Sequence, residues 1–472
     1  AAMLSPEILS ELREIVGTEW CLTSKAELVS YSYSATPRRQ RLPDVAVLPR
    51  TSAEVAAIMQ LAHAHRIPVH TRGSGTNLSA GSVPVEGGIV LSLNRMSSIK
   101  EIDQENLTVT VEPGVITARI HQAVEALGLF YPPDPGSMNT STIGGNVAEC
   151  AGGLRGLKYG VTKDYVMGLE AVTADGRLFR AGGKNMKDVA GYDLVKLLVG
   201  SEGTLAVITE ITLKLLPLPE AKRTALAAFH NLEAAARTVS RIIASRIIPC
   251  TLEFMDNGTI RAVEEFARIG LPVDADALLL IQQDGPPFVC ERDIERIASL
   301  CREEGAFAVK LATDPAEEAA LISARRAAIP ALARRKPTTI LEDATVPRSQ
   351  IAPMVTEINR IAAKYNIDIC TFGHAGDGNL HPTCMTDERD EEEVHRVEEA
   401  FAEIFTVALS MGGTITGEHG IGETKAPYLE WKVGPVGVDL MKAIKQAFDP
   451  ENILNPGKIF AKESRKRVVV RS

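Results

Sequence analysis

Between residues 132 and 160 the chain packs glycine, proline, serine and threonine too densely for a plain connector. An ordered stretch of that kind lines a ligand or brings backbone against backbone. Regular elements must therefore be built on both sides of it, and they are readable. Ser5 and Pro6 open a helix over 5–16. A strand at 45–48, a helical period over 54–65 and a run at 67–70 leading into a glycine-rich turn give a mixed α and β rhythm. Residues 89–93 and 108–111 read as strands, 116–128 as a helix, 168–173 as a strand, and 205–216 alternates in strand fashion. Leu216-Pro217-Leu218-Pro219-Glu220 marks a domain boundary. From there to about residue 440, helices rich in Ala, Glu and Arg alternate with strands such as 277–282, which predicts a second α+β domain. The segment after Phe448-Asp449-Pro450 is too short to fold alone and should dock on something already built.

The 472 residues suffice for two or three domains, with 45% hydrophobic and 24% charged residues for an ordinary core and surface. A net charge of -9 argues against nucleic acid as a partner, since phosphate binding needs a basic face. Seven cysteines are scattered with no CxxC pair, which fits a reducing, cytoplasmic setting and lacks iron–sulfur spacing. No run of about 18 apolar residues predicts a membrane span. The first residues lack the pattern of a signal peptide, and Met3 is a candidate natural start. The basic tail from Lys462 to Arg467 reads as a solvated terminus.

Chemistry enters first at Arg72, Gly73, Ser74, Gly75, Thr76, Asn77, Leu78 and Ser79, after a predicted strand. Glycines let backbone N–H groups wrap a phosphate. Leu78 stands where the dinucleotide fingerprint needs its third glycine, so this is not a nicotinamide-binding Rossmann unit. A second block runs Pro132-Pro133-Asp134-Pro135-Gly136-Ser137, Ser141-Thr142-Ile143-Gly144-Gly145-Asn146 and Ala151-Gly152-Gly153. A third runs Val199-Gly200-Ser201-Glu202-Gly203-Thr204 to Ile208-Thr209, preceded by Asn185-Met186-Lys187-Asp188-Val189-Ala190-Gly191-Tyr192-Asp193-Leu194.

In order and spacing these blocks resemble the flavin domain of the vanillyl-alcohol oxidase superfamily, and within it the glycolate oxidase flavoprotein subunits and FAD-linked D-lactate dehydrogenases. The resemblance implies an α+β protein. It has an FAD-binding domain of two α/β subdomains (1–218), an α+β substrate or cap domain with an antiparallel sheet (219–444), and a C-terminal segment (445–472) returning to the first domain. It implies non-covalent FAD, with Arg72 to Ser79 at the pyrophosphate. Pro135, Gly136, Ser137, Ser141, Thr142, Gly145 and Asn146 would line the ribityl and ring region, and Glu202, Gly203 and Ile208 would lie near the adenine half. Asn455, in Phe448-Asp449-Pro450-Glu451-Asn452-Ile453-Leu454-Asn455-Pro456-Gly457-Lys458, would touch the flavin. Cys150 stands where the family often has Asn.

Three of the nine histidines fall in two glycine-flanked motifs, Gly373-His374-Ala375-Gly376-Asp377-Gly378-Asn379-Leu380-His381 and Gly417-Glu418-His419-Gly420. Imidazole and carboxylate together suit zinc, iron(II) or manganese. By resemblance His374, His381 and Glu418 match metal ligands, His419 a general base and Arg325 a substrate-carboxylate clamp. Leu341 stands where some relatives carry a substrate-binding Lys, and Thr383 where relatives taking a dicarboxylic acid have Asn. Both lean towards D-lactate or glycolate and away from D-2-hydroxyglutarate. The expectation is a D-2-hydroxy-acid dehydrogenase passing electrons to an electron-transfer flavoprotein or an iron–sulfur subunit, as a hetero-complex or a homodimer, peripheral to the membrane only through a partner. A non-redox flavin transferase of the alkyl-glycerone-phosphate synthase type is a rival, weakened by the absence of a consecutive histidine run. A flavin-bearing relay without its own chemistry is a third reading.

Overall fold

A computed structural model describes residues 4–466. Met3, and Arg467 at the end of the basic tail, lie outside the described residues. The chain divides into two units. Of the described residues, the first comprises 4–152, 161–218 and 418–465, the second 153–160, 219–417 and 466.

The first unit holds two principal sheets, matching the expected pair of α/β subdomains. In the smaller, Val45–Val47, Ile89–Ser92 and Val69–Arg72 pair in parallel, with Cys21–Leu22 antiparallel at the edge. Strand alternation sorts its side chains. Val45, Val47, Ile89 and Leu91 face Leu12 and Val16 of the helix Pro6–Val16 and Val55, Ile58 and Met59 of the helix Ser52–Ala64. Ala46 and Val90 point the other way, onto Leu28. Thr51 and Glu54 start the second helix with a reciprocal capping box. The larger sheet is antiparallel, in the order Ile99–Asp103, Thr108–Val111, Val207–Lys214, Val166–Val172, Leu178–Gly182. The glycine-rich stretch after residue 132 folds into the short helices Ile143–Glu149 and Gly156–Tyr159 and the turns between them.

The second unit is an eight-stranded antiparallel sheet with helices packed on it. Its central order is Ala221–Phe229, Ala277–Gly285, Thr251–Asp256, Asp368–His374, Asn379–Thr386. Among the described residues no helix is long and apolar enough to cross a membrane.

The last part of the chain joins the first sheet. Val69 N–H donates to the Ile453 carbonyl and Asn455 N–H to the Val69 carbonyl, which makes Leu454 a parallel bridge partner of Val69. Asp449, 1% exposed, organises the approach. It accepts from the N–H groups of Ile453 and Leu454 and pairs with Lys445 Nζ at 2.6 Å. Asp449→Ala strands a largely buried ammonium and two N–H groups, a loss of about 3–5 kcal/mol. Denaturant unfolding should show a lowered midpoint, with the first unit melting ahead of the second.

Candidate functional site

In the first unit, Arg72 ends a parallel strand and the next seven residues turn away from the sheet. Among the described residues, none of the backbone N–H groups from Gly73 to Ser79 donates to a protein acceptor. The buried Asn77 Oδ1 likewise has no partner there, although its Nδ2 donates to Ser82 Oγ at 2.6 Å. A row of open donors is what a pyrophosphate needs. The cradle is also too close for side chains. A Cβ on Gly73 would lie 2.2 Å from Thr142 Oγ1. Thr142 is itself fixed as the cap of the helix Ile143–Glu149, accepting from Gly145 N–H. Asn146 donates to Thr117 Oγ1 at 2.6 Å, and Ser141 and Thr142 are buried. Pro135 and Ser137 accept the turn hydrogen bonds of Met138 and Ser141, with Gly136 between them. Ile208 lies in the strand Val207–Lys214, and Gly203 takes a positive φ just before it. These donors and close approaches fit an FAD phosphate chain.

Two of the expected residues are spent within the protein. The Asn455 amide donates to the carbonyls of Gly81 and Glu202 and accepts from Lys458 Nζ, and its Oδ1 lies 2.8 Å from His70 Nδ1. Burial, with Lys458 adding to it, drives the His70 pKa down to about 3, so the neutral ring donates here. The Glu202 carboxylate accepts from the N–H groups of Gly422 (2.7 Å) and Ile421 (3.3 Å). Glu149 lies beside it. Burial raises both carboxyl groups, and the Glu202 charge raises Glu149 further. Glu149, Lys458 and His70 were not singled out from sequence, although Lys458 closes the C-terminal block and His70 precedes the first loop. Glu418 and His419 belong to this unit, with 3.9 Å between His419 Nε2 and Glu418 Oε1.

In the second unit, strand register builds the chemistry. His374 pairs across with Glu253, and Phe372 with both Met255 and His381. Directly opposed residues share a face, as do diagonal ones, so Glu253, His374 and His381 lie on one side of the sheet. The histidine rings meet edge to face, 5.1 Å between centroids. His374 Nδ1 sits 2.9 Å from both Glu253 oxygens, so any metal bond it makes is through Nε2. Arg325 ends the helix Pro315–Arg326 on the same carboxylate, at 2.9 Å, with its guanidinium over the Phe372 ring. Arg325 is buried, not a surface arginine. A histidine oriented by a carboxylate is the usual arrangement at metal sites, and this donor set fits a divalent ion. Glu253 was missed in the sequence. Its signal is a charge set between Leu252 and Phe254 in a strand buried up to its last residue. Asp343, fully buried, accepts from Thr416 Oγ1 and Gly417 N–H at 2.8 Å each.

Family models match two stretches, an FAD binding domain over residues 43–182 and the C-terminal domain of FAD linked oxidases over residues 218–459. The chain is similar to the glycolate oxidase subunit GlcD of Bacillus subtilis, 59% identical over 99% of both chains. It is 40% identical to a D-lactate dehydrogenase of Archaeoglobus fulgidus, covering 89% of this chain and 91% of that one. Its fold is that of p-cresol methylhydroxylase, a vanillyl-alcohol-oxidase-type protein solved with substrate bound, with a TM-score of 0.81, 18% identity and 96% of each chain covered.

Gly73→Val places a branched side chain against Thr142 in the cradle. The purified variant should lose most of its flavin, read as the 450 nm to 280 nm absorbance ratio after gel filtration. A wild-type ratio would contradict the assignment of this loop.

Proposed function

The chain belongs to the FAD-linked oxidases and is an FAD-dependent oxidoreductase, and on that footing we propose that it oxidises a small D-2-hydroxy acid, D-lactate or glycolate, to the 2-keto acid. The buried chain Arg325–Glu253–His374 carries the reading. Among the described residues Arg325 Nε has no hydrogen-bond partner, and a buried guanidinium with a spare donor suits a planar carboxylate. An imidazole held at Nδ1 by Glu253 suits a divalent ion at its other nitrogen. A 2-hydroxy acid offers a carboxylate and a hydroxyl on adjacent carbons. Both relatives carry names of enzymes acting on such acids.

Leu341 and Thr383 support a small substrate. They pair directly across the strands Thr338–Leu341 and Asn379–Thr386, on the face that carries His381. Leu341 is buried and apolar, so this pair offers no cation to a second carboxylate.

His374, His381 and Glu418 are the proposed ligands of zinc, iron(II) or manganese, a set joined by the motif resemblance. When bound, the ion supplies Lewis acidity at the hydroxyl and non-covalent FAD supplies a hydride acceptor. Arg325 takes the substrate carboxylate and so orients Cα and its hydroxyl. His419 accepts the hydroxyl proton as hydride leaves Cα. The seven cysteines are unpaired, and the electrons go to an acceptor outside the chain: an electron-transfer flavoprotein, an iron–sulfur subunit or another acceptor, in the cytoplasm. The relative named as a subunit supports such an assembly.

Anaerobic mixing of metal-replete protein with D-lactate or glycolate should bleach the flavin, and a chelator should abolish it. His419→Ala should keep its flavin and slow bleaching by roughly 10²-fold or more. Absence of bleaching with every 2-hydroxy acid tried would remove this reading.

A further inference from the structure

Glu202 has a left-handed backbone, φ 57°. For a residue with a Cβ that conformation is strained, and such strain persists only where the surroundings impose it. Here they do so from both sides. Glu202 N–H donates to the Ala148 carbonyl at 2.8 Å, and its own carbonyl accepts Asn455 Nδ2 at 2.7 Å. The consequence is the direction of the side chain. Its carboxylate reaches the backbone beyond His419 and accepts from Ile421 and Gly422 N–H.

That backbone has no room to settle elsewhere. Ser79 Oγ donates to the Gly420 carbonyl at 3.0 Å and lies 3.4 Å from the His419 carbonyl. The Ser79 carbonyl accepts from Glu423 and Thr424 N–H. Gly420 takes φ 82°, and a Cβ there would lie 2.5 Å from Glu149 Oε2 and 2.9 Å from Glu202 Oε1. On Gly422 it would lie 2.0 Å from the Ser79 carbonyl. The turn is thus seated between two carboxylates and a serine, all within the first unit. Glu202 is the member that grips it by two N–H groups at once.

We propose that Glu202 is a positioning residue that fixes His419 through the backbone of the three residues after it. This rests on the reading of His419 as the base. Hydrogen bonds from backbone N–H to a carboxylate are charge-assisted and stronger than neutral ones. A base displaced by about an ångström loses up to roughly 100-fold in rate. In this role Glu202 acts on the reaction only through that turn, so its effect exists only while His419 is present.

The test uses the FAD- and metal-replete full chain and anaerobic single-turnover flavin reduction by D-lactate and glycolate. Glu202→Ala should lower the limiting reduction rate by roughly 10- to 100-fold with flavin content unchanged. Glu202→Gln, which keeps one accepting oxygen, should lose less and serves as the second variant if the alanine form does not fold. In the His419→Ala background neither substitution should lower the rate further, because residues acting as one unit are not additive. Three results would overturn the proposal: a wild-type rate in Glu202→Ala, losses that multiply with that of His419→Ala, or loss of FAD from Glu202→Gln, which would assign the carboxylate to the cofactor. An undiminished rate in His419→Ala itself would strike the base assignment, a failure visible before any Glu202 variant is made.

Discussion

One side-chain amide holds the flavin-binding unit together. Asn455 has two donors and two accepting lone pairs, and all four are used. They reach Gly81 beyond the first glycine loop, Glu202 in the third block, His70 on the parallel strand and Lys458 in its own segment. Parts of the chain up to 385 residues apart thereby share one centre. Because the amide is 2% exposed, no water can replace a lost partner, and the arrangement is kept whole or not at all. Lys458 shows the cost of the site. Burial pulls its ammonium down to about 8 against the opposing pull of Glu423, Glu149, Glu202 and Glu86.

The second unit solves a different problem with register. A sheet places residues by pairing, so a carboxylate on one strand and an imidazole on the next become neighbours once the ladder is set. Glu253 orients His374 because the two are opposed, and it holds Arg325 because a helix ends on the same face. One carboxylate serves an arginine and a histidine in a dry place. Removing it would leave the buried Arg325 guanidinium without its counter-charge and His374 Nδ1 without its partner, so the strand Thr251–Asp256 orders these side chains although it carries no motif.

What was legible in the sequence is what depends on backbone. Glycines are needed where N–H groups must face a phosphate, so the blocks at 71–79, 132–153 and 199–209 marked close backbone approach, and their resemblance to a flavin-binding family supplied the fold. The second α+β domain was readable from helices alternating with strands, while its antiparallel pairing was expected only from the family resemblance. Side-chain roles set by distant pairing were not. Glu253 meets His374 across 121 residues, and nothing in the local sequence gives that pairing. Glu202 was visible as part of a block, but the direction of its carboxylate comes from a left-handed φ that a Ser-Glu-Gly string does not announce. The crossing between units at residues 417 and 418 carries no change in composition either. It falls inside the motif that the sequence marks as chemical.

The discontinuity of the first unit has a consequence for the newborn chain. The described strands of the second unit all lie before residue 417, so its sheet can close while the remainder is still being synthesised. The first unit cannot. The strand Val69–Arg72 must wait for Ile453 and Asn455, and Glu202 for the turn at 421–422. Chains emerge at about 5–20 residues per second, so the first unit spends tens of seconds with its flavin cradle unfinished and apolar surface open. Residues 418–465 act as a latch thrown only after the second unit has been made. A chain cut short before residue 449 would keep an intact cap sheet and a first domain prone to aggregate.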